Sequence, residues 1–249
     1  MENGNFAWGC PYFAPKLTHP SPYLYQVLYT LDIAKGRLFH DHLVTIAEAH
    51  RKHPNGNIFA CYGSWIGEGV ITMLYPMRDP DGMRSWTPQE QILLDIYGAD
   101  DGKKLIKNFE ETLRGEERTV LRHLPEFSNI PDRPEGTTFD YIYHIAGTRS
   151  AHSRTAEFRT RATHAIEVNR THKDGFRWIA YGEHGATQDR FHIYLPFRKM
   201  ATLDRWVDIL DNRQISIVEG EPFSRTLRCG LTNYRTYVHV HVSACDHSG

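Results

Sequence analysis

The sequence lacks most of the features that would place it quickly. Its four cysteines are far apart and form no CxxC pair, which disfavours a zinc knuckle or a dithiol redox site and predicts reduced, mostly buried thiols. No apolar run exceeds strand length, and Glu2 stands where a secretion signal would carry lysines. The formal charge is −1, so no overall field would hold nucleic acid or an anionic membrane. These absences predict a cytoplasmic protein that binds neither nucleic acid nor a membrane.

Several catalytic motifs are missing as well. No GxSxG, no P-loop and no GxGxxG after a predicted strand occurs. Nucleophile-elbow hydrolysis, nucleotide hydrolysis and dinucleotide binding therefore have no support. What is present is an ordinary globular composition, 40% hydrophobic and 24% charged, with an unusually large number of histidines, 15 in 249 residues.

The pattern of apolar residues predicts a repeated order of elements. Residues 1–22 show no period and are predicted to form an extended arm. After it, the order is strand, helix, strand, strand, helix, strand, over residues 23–32, 34–53, 57–65, 69–77, 88–97 with 102–113, and 118–127. A turn-rich segment at 128–138 is predicted to be a linker. The same order then restarts, over residues 139–147, 153–173, 176–184, 190–197, 201–210 and 235–244.

Three landmarks recur between the two halves at a near-constant spacing. Tyr62-Gly63 matches Tyr181-Gly182 (181 − 62 = 119), Pro76 matches Pro196 (196 − 76 = 120), and Arg118-Thr119 matches Arg235-Thr236 (235 − 118 = 117). The sequence therefore predicts a duplication, with one ferredoxin-like β-α-β-β-α-β module at 23–127 and another at 139–249. Each antiparallel sheet would leave one face bare, and packing the two bare faces sheet to sheet gives an α+β barrel. Two independent α+β domains are the alternative.

The arrangement resembles the dimeric α+β barrel superfamily in a fused, two-module form, over residues 23–245. The first half is most similar to NIPSNAP-type proteins, through its aromatic-flanked first strand, its long helix and the YGSWIGEG…LYPMRD hairpin ending at Arg78. The superfamily includes cofactor-free monooxygenases resembling those of antibiotic biosynthesis, small-molecule isomerases, and fused haem enzymes whose pocket belongs to the C-terminal module. The resemblance carries over no catalytic residue.

Comparison of the two halves suggests a histidine site in the second. The sequence spacing places His144 opposite Leu28, His192 opposite Thr72, and His239 and His241 opposite Arg122 and Leu124. In a ferredoxin-like sheet the first strand lies between the third and the fourth, so these histidines would lie on three adjacent strands, facing the barrel interior with Tyr194 and Tyr237. Imidazoles at that spacing could bind Zn²⁺ or another divalent metal, and a shared polar network is the alternative. We expect the more polar cavity, and any metal, in the C-terminal module.

A second candidate site lies under the helices of the first half. His42 and His50 fall on the apolar stripe of the first helix, near Tyr25 or Tyr29 and near Trp65 on the strands. An aromatic cleft with a histidine as general base would suit a planar apolar substrate, whereas the alternative is a purely structural core.

These patterns predict a small-molecule enzyme of monooxygenase or isomerase type acting on an apolar or aromatic substrate in a pocket between sheet and helices. The candidate catalytic residues are His42, His144 and His192, and the candidate ligand-binding residues are Tyr29, His50, Trp65, Tyr194 and Tyr237. We expect no cofactor, with haem or a divalent metal as the alternatives. A protein that binds a ligand or partner without turnover is the second hypothesis, and the sequence leaves a homo-oligomer open.

Overall fold

The computed structural model describes residues 20–66, 69–130, 141–149, 160, 163, 166–167, 178–185, 190–197, 216–218, 221–222 and 231–241. For residues 64–66, 141, 149 and those from 216 onward it describes the backbone. Of the predicted helix at 153–173 the structure describes residues 160, 163 and 166–167, which are helical, whereas the predicted helix at 201–210 and most of the predicted arm and linker lie outside the described residues. The boundaries of the two modules therefore stay a prediction.

The first half follows the predicted order of elements. Its elements are β1 (Tyr23–Leu31), α1 (Gly36–Lys52), β2 (Ala60–Ile66), β3 (Val70–Met77), α2 (Gln89–Tyr97), α3 (Ala99–Glu110) and β4 (Leu113–His123). Helix α1 carries its buried side chains at helical spacing, from Phe39 through Leu43 and Ile46 to His50, as the apolar period predicts.

Strand β4 begins five residues earlier than predicted. Its first residues, LRGEERT, show no alternation of apolar and polar side chains. They form a strand because the chain from Leu113 onward hydrogen-bonds to β1. This pairing is possible because α3 already ends at Glu110. The predicted end of the strand is also wrong, because Pro125–Phe127 forms a 3₁₀ turn.

The described strands of the second half lie at the predicted places in the chain, although the last one begins four residues earlier than predicted and ends three residues earlier. They are β5 (Tyr141–Arg149), β6 (Ile179–Glu183), β7 (Arg190–Phe197) and β10 (Leu231–His241). A short antiparallel pair, β8 (Ser216–Val218) and β9 (Glu221–Pro222), was not predicted.

Eight of these strands close into an antiparallel barrel in the order β1-β3-β2-β10-β5-β7-β6-β4. β1 lies between β3 and β4, and β5 lies between β7 and β10, so the predicted central position of each first strand is confirmed. Strand β4 pairs with β6, and β2 pairs with β10, to complete the circle.

The side chains of the strands divide between two cores because successive residues point to opposite faces. The barrel interior is filled by an apolar cluster that includes Leu24, Leu74, Leu121, Ile142 and Tyr194. The outer face of the first half packs against α1, α2 and α3 through a second cluster, which includes Val27, Tyr29, Phe39, Ile46, Met73, Ile92 and Phe109. Within the described residues, no helix has both the length and the apolar character needed to cross a membrane.

Candidate functional site

A cavity of about 450 Å³ lies between the outer face of the first half and its helices. The sheet contributes side chains from β1, β3 and β4, and the helices contribute residues such as Ile46, Leu93 and Phe109. The connection between β3 and α2, residues 83 and 86–88, closes one side. This is the position in which the sequence predicts a pocket, between sheet and helices, and its volume suits a small organic molecule.

Three aromatic rings form a continuous wall of this cavity. The ring centroids of Tyr25 and Tyr75 are 5.8 Å apart, those of Tyr25 and Trp86 are 5.8 Å apart, and those of Tyr75 and Trp86 are 5.3 Å apart. Tyr25 and Tyr75 are paired residues on adjacent strands, so their side chains share the helix-facing side. Because the rings touch one another, they present a broad apolar surface to a flat ligand.

His50 lines the cavity with a defined arrangement of its ring. Its Nδ1 accepts the backbone N–H of Asn57 at 3.1 Å, so the neutral ring carries its proton on Nε2. The Asn57 side chain donates to the carbonyl of Thr87 at 3.1 Å, which ties the end of α1 to the segment that carries Trp86. A neutral His50 is therefore a hydrogen-bond donor, and the predicted role of a histidine as general base does not suit it.

The tyrosines of the cavity are held in their protonated form. Burial raises the pKa of Tyr29 and Tyr75 well above the ordinary value, and burial also raises the pKa of Tyr25. The Tyr75 hydroxyl donates to the sulfur of Met73 at 3.8 Å. These phenols can donate hydrogen bonds to a ligand at neutral pH, and they cannot accept a proton from it.

Two charged groups of the cavity lie on β4, and Glu90 on α2 and Glu110 on α3 also line it. Arg118 and Glu116 form an ion pair, with side chains that are 65% and 28% exposed respectively, and both line the cavity. The hydrogen bond that Arg118 donates to the Glu116 carboxylate raises the pKa of the Arg118 guanidinium, which stays charged. The cavity thus combines an apolar aromatic wall with a carboxylate and a guanidinium at its polar side.

His144 and His192 lie inside the barrel, where they form a polar network with Glu183. His144 is fully buried and His192 nearly so, and His144 Nε2 lies 3.1 Å from His192 Nδ1. His192 Nε2 lies 3.3 Å from the carboxylate of Glu183, and Tyr194 stacks on His144 at 4.5 Å. Hydrogen bonding to His192 lowers the pKa of Glu183, so Glu183 accepts the Nε2 proton of His192.

The predicted metal site finds no support within the described residues, which contain no group of three side chains able to hold a metal ion. The backbone register pairs Tyr237 with His144 and His239 with Ile142. The side chains of Tyr237, His239 and His241, and that of Trp65 in the other candidate site, lie outside the described residues.

The register corrects the predicted matching of the two halves. Leu24 pairs with Pro76, and Ile142 pairs with Pro196, so His144 occupies the position of Gln26 rather than that of Leu28. His192 corresponds to Thr72, as predicted, because each pairs with a landmark tyrosine. In the last strands His239 pairs with Ile142, and Leu121 pairs with Leu24, so His239 matches Leu121 instead of Arg122 and His241 matches His123 instead of Leu124. The predicted offset of 117 is one residue too short, and such a slip exchanges the two faces of a strand.

The remaining candidates separate into two places. Tyr29 and His50 line the cavity, whereas His144, His192 and Tyr194 lie in the barrel interior. His42 is half-buried on α1 and is not among the lining residues. The structure therefore brings His144 and His192 together and leaves His42 on α1, away from both.

Among the lining residues that sequence reasoning missed are Tyr75, Trp86, Glu116 and Arg118. Trp86 and Tyr75 lie in segments whose pattern predicts only a turn and a strand. Glu116 and Arg118 would have been found if β4 had been extended, because residues two apart on a strand share a face.

Comparison with known proteins places the fold. No protein-family model matches the chain, and no curated protein does. An anthrone oxidase-like protein superposes with a TM-score of 0.57 at 10% identity, over 92% of this chain and 93% of that one. A predicted monooxygenase from Lactobacillus acidophilus NCFM superposes with a TM-score of 0.52 at 7% identity, over 90% of this chain and 95% of that one. A chlorite dismutase from Candidatus Nitrospira defluvii in complex with imidazole superposes with a TM-score of 0.52 at 11% identity, over 90% of this chain and 92% of that one. At these identities the likeness concerns the fold alone, a ferredoxin-like α+β barrel.

Proposed function

We propose that the chain is a small-molecule enzyme of monooxygenase type that takes a planar, phenolic aromatic substrate into the cavity of the first half. The observation that carries this proposal is the wall formed by Tyr25, Tyr75 and Trp86 next to the Glu116–Arg118 pair. A flat apolar body and an ionisable oxygen are the two features that such a cavity recognises. The shared fold with an anthrone oxidase-like protein and a predicted monooxygenase supports the reaction class.

The lining residues suggest how such a reaction would proceed. Of the three carboxylates that line the cavity, Glu116 is the one paired with Arg118, and its side chain is 28% exposed, so Glu116 takes the proton of an acidic C–H or phenolic O–H of the substrate. Arg118 lies beside it and stabilises the anion that forms. The anion passes electrons to dissolved O₂. One oxygen atom becomes a carbonyl of the product, and the other leaves as water with the two hydrogens lost from the substrate carbon.

We also propose that the barrel consists of two fused modules related by duplication, in keeping with the resemblance to NIPSNAP-type proteins. The order β4-β1-β3-β2 followed by β10-β5-β7-β6 supports it, because each group of four has the ferredoxin-like sequence of strands.

Haem is the cofactor that a chlorite dismutase-like fold would suggest, so its fit matters. In the described residues of the second half, the outer side of the sheet carries apolar side chains such as Phe191, Ile193 and Leu195. His144 and His192 point the other way and are engaged with each other, so neither suits an axial ligand. The described residues do not fit a haem site, and no step is assigned to haem.

The proposal can be tested with two matched substitutions in one segment. Thr87 lines the cavity and contributes only its backbone carbonyl to the bond with Asn57, so Thr87→Trp should fill the cavity without removing that bond. Ser85 is exposed and outside the cavity, so Ser85→Trp is the control. With anthrone as the probe, we expect O₂ consumption and ¹⁸O incorporation from ¹⁸O₂ in the unaltered protein and in Ser85→Trp, and at least a tenfold loss in Thr87→Trp.

A second candidate function is ligand binding without turnover. It is favoured by the protonated tyrosines and by His50, which make most buried polar groups of the cavity donors. Binding of anthrone that Thr87→Trp abolishes, without O₂ consumption, would support this alternative. Equal binding by all three proteins would overturn both functions. A Soret band in the visible spectrum of the purified protein would restore haem as a candidate.

A further inference from the structure

The barrel closes between β4 and β6 along a short seam. Within the described residues these strands pair from Leu121 to His123, opposite Tyr181 to Glu183, whereas β1 and β4 pair along the whole of β1. Beyond the strand ends the seam continues through Asn129 and Trp178, whose backbones exchange hydrogen bonds at 2.9 and 3.1 Å.

Ser128 holds this seam together. Its Oγ accepts the backbone N–H of Ala180 at 2.9 Å and donates to the carbonyl of Leu124 at 2.9 Å. His123 Nε2 lies 3.2 Å from the same oxygen. Because a hydroxyl has one proton and Leu124 takes it, His123 must donate from Nε2. A neutral His123 therefore supports the seam, and its Nδ1 is where an additional proton would bind.

Glu183 provides a second connection at the inner side of the seam. It accepts from His192 Nε2 at 3.3 Å and pairs with Arg190 at 3.2 Å. Arg190 also lies 3.5 Å from Glu117 on β4, so a carboxylate from each strand shares one guanidinium. The bonds of Glu183 to His192 and Arg190 depend on Glu183 being ionised, and they hold Arg190 in position for its contact with Glu117 across the seam.

The other titratable and charged groups around the seam come from every neighbouring element. They are Tyr23 on β1, Arg122 on β4, Glu126 in the following turn, His144 on β5, Tyr181 on β6, His184 after β6, and Tyr194 on β7. Of these, Glu126 raises the pKa of His123 and is a smaller influence than burial.

We propose that the seam between β4 and β6 is an acid-sensitive latch: protonation of His123 and Glu183 opens the barrel there while the first-half sheet stays folded. Burial lowers the pKa of His123 to about 4, and opening would restore its ordinary value of about 6.5. Protons therefore favour the open state as the pH falls from about 6.5 to about 4. The pKa of Glu183 is also lowered in the closed seam, so its protonation on further acidification acts in the same direction.

The size of the effect follows from the two values for His123. Between pH 7.5 and 4.5 the ratio of open to closed seams should rise on the order of 50- to 100-fold. Hydrogen exchange at the amides of Leu124 and Ala180, corrected for the intrinsic pH dependence, measures that ratio. Leu124 donates its amide to the carbonyl of Ala180 at 2.9 Å across the seam. The amide of Leu31, bonded to Gly69 at 2.7 Å, reports on the first-half sheet.

The deciding variant is His123→Gln, which keeps an N–H donor for Ser128 and does not titrate. In the unaltered protein we expect hydrogen-exchange protection of the seam to fall as the pH is lowered from 7.5 to 4.5. In His123→Gln the protection should be largely independent of pH down to pH 5. In the control variant His40→Gln on α1 it should fall as in the unaltered protein. Glu183→Gln should open the seam already at neutral pH. Equal losses at Leu31 and Leu124, or an unchanged response in His123→Gln, would overturn the proposal. If His123→Gln does not fold, NMR titration of His123 decides, because a pKa above about 6 removes the mechanism.

Discussion

Two buried threonines provide a direct test of the polar groups in the barrel. Thr72 on β3 is 1% exposed, and its hydroxyl has no hydrogen-bond partner among the described residues. Thr112, between α3 and β4, is 0% exposed, and its hydroxyl donates to the carbonyl of Phe109 at 2.6 Å. Replacing each by valine removes the same atom from the same degree of burial.

The two substitutions should change stability in opposite directions. A buried polar group without a partner costs about 1–3 kcal/mol, so Thr72→Val should stabilise the protein by roughly that amount or somewhat less. Thr112→Val loses a hydrogen bond and should destabilise by about 0.5–1.5 kcal/mol. For a chain of this length, each kcal/mol moves Tm by about 2–4 °C, which calorimetry resolves.

Urea unfolding provides an independent measurement, with m-values checked to be unchanged. If Thr72→Val destabilises the protein as much as Thr112→Val does, the Thr72 hydroxyl has a hydrogen-bond partner in solution. The polar side chains that the first half places inside the barrel must then be reinterpreted as a hydrated network. A shift of the same sign in both variants would refute the reasoning from burial and partnering.

Three further predictions concern the same barrel. Gln26 is 3% exposed, and its side-chain Nε2 and Oε1 have no hydrogen-bond partner among the described residues, so Gln26→Met should raise Tm. A lower Tm would show that the Gln26 amide is hydrogen-bonded. His144→Leu should destabilise by about 1–3 kcal/mol because it leaves His192 Nδ1 without its partner, and His144→Leu with His192→Leu should recover part of the loss in a double-mutant cycle. The lowered pKa of Glu183 means that its ionised form stabilises the fold above the unfolded pKa, so Glu183→Gln should flatten the loss of stability that the unaltered protein shows below about pH 5. An identical pH profile in the Glu183→Gln variant would contradict that linkage.

The sequence was sufficient for strands whose own side chains alternate. β1 and β7 were predicted nearly to the residue because apolar and polar positions change with period 2. It was insufficient for the start of β4, where charged residues from Arg114 to Arg118 form a strand through their pairing with β1. That pairing is a non-local contact, and no local pattern contains it.

The same limit applies to the candidate site. Tyr29 and His50 were found because each lies in an element with a clear period. Trp86 comes from an irregular segment that Asn57 fixes through the carbonyl of Thr87, and only the folded chain brings these residues together. A candidate site built from strands and helices alone therefore lacked one side of the cavity.

The matched positions inside the barrel also change how the histidines should be understood. Counted from the two landmark prolines, Gln26 and Thr72 occupy in the first half the positions of His144 and His192 in the second. Polar side chains at these positions are thus a property of both halves, and histidine there is not by itself a sign of chemistry. What differs is the hydrogen bonding, because His144 bonds to His192 and His192 bonds to Glu183, while the side chains of Gln26 and Thr72 have no partner in the part of the chain that the structure describes. The buried histidines of the second half satisfy one another's hydrogen bonds, so their burial needs no catalytic explanation. In the first-half cavity, Glu116 and Arg118 lie beside an aromatic wall, and packing alone does not require charged side chains there. The chemistry is therefore better sought in that cavity.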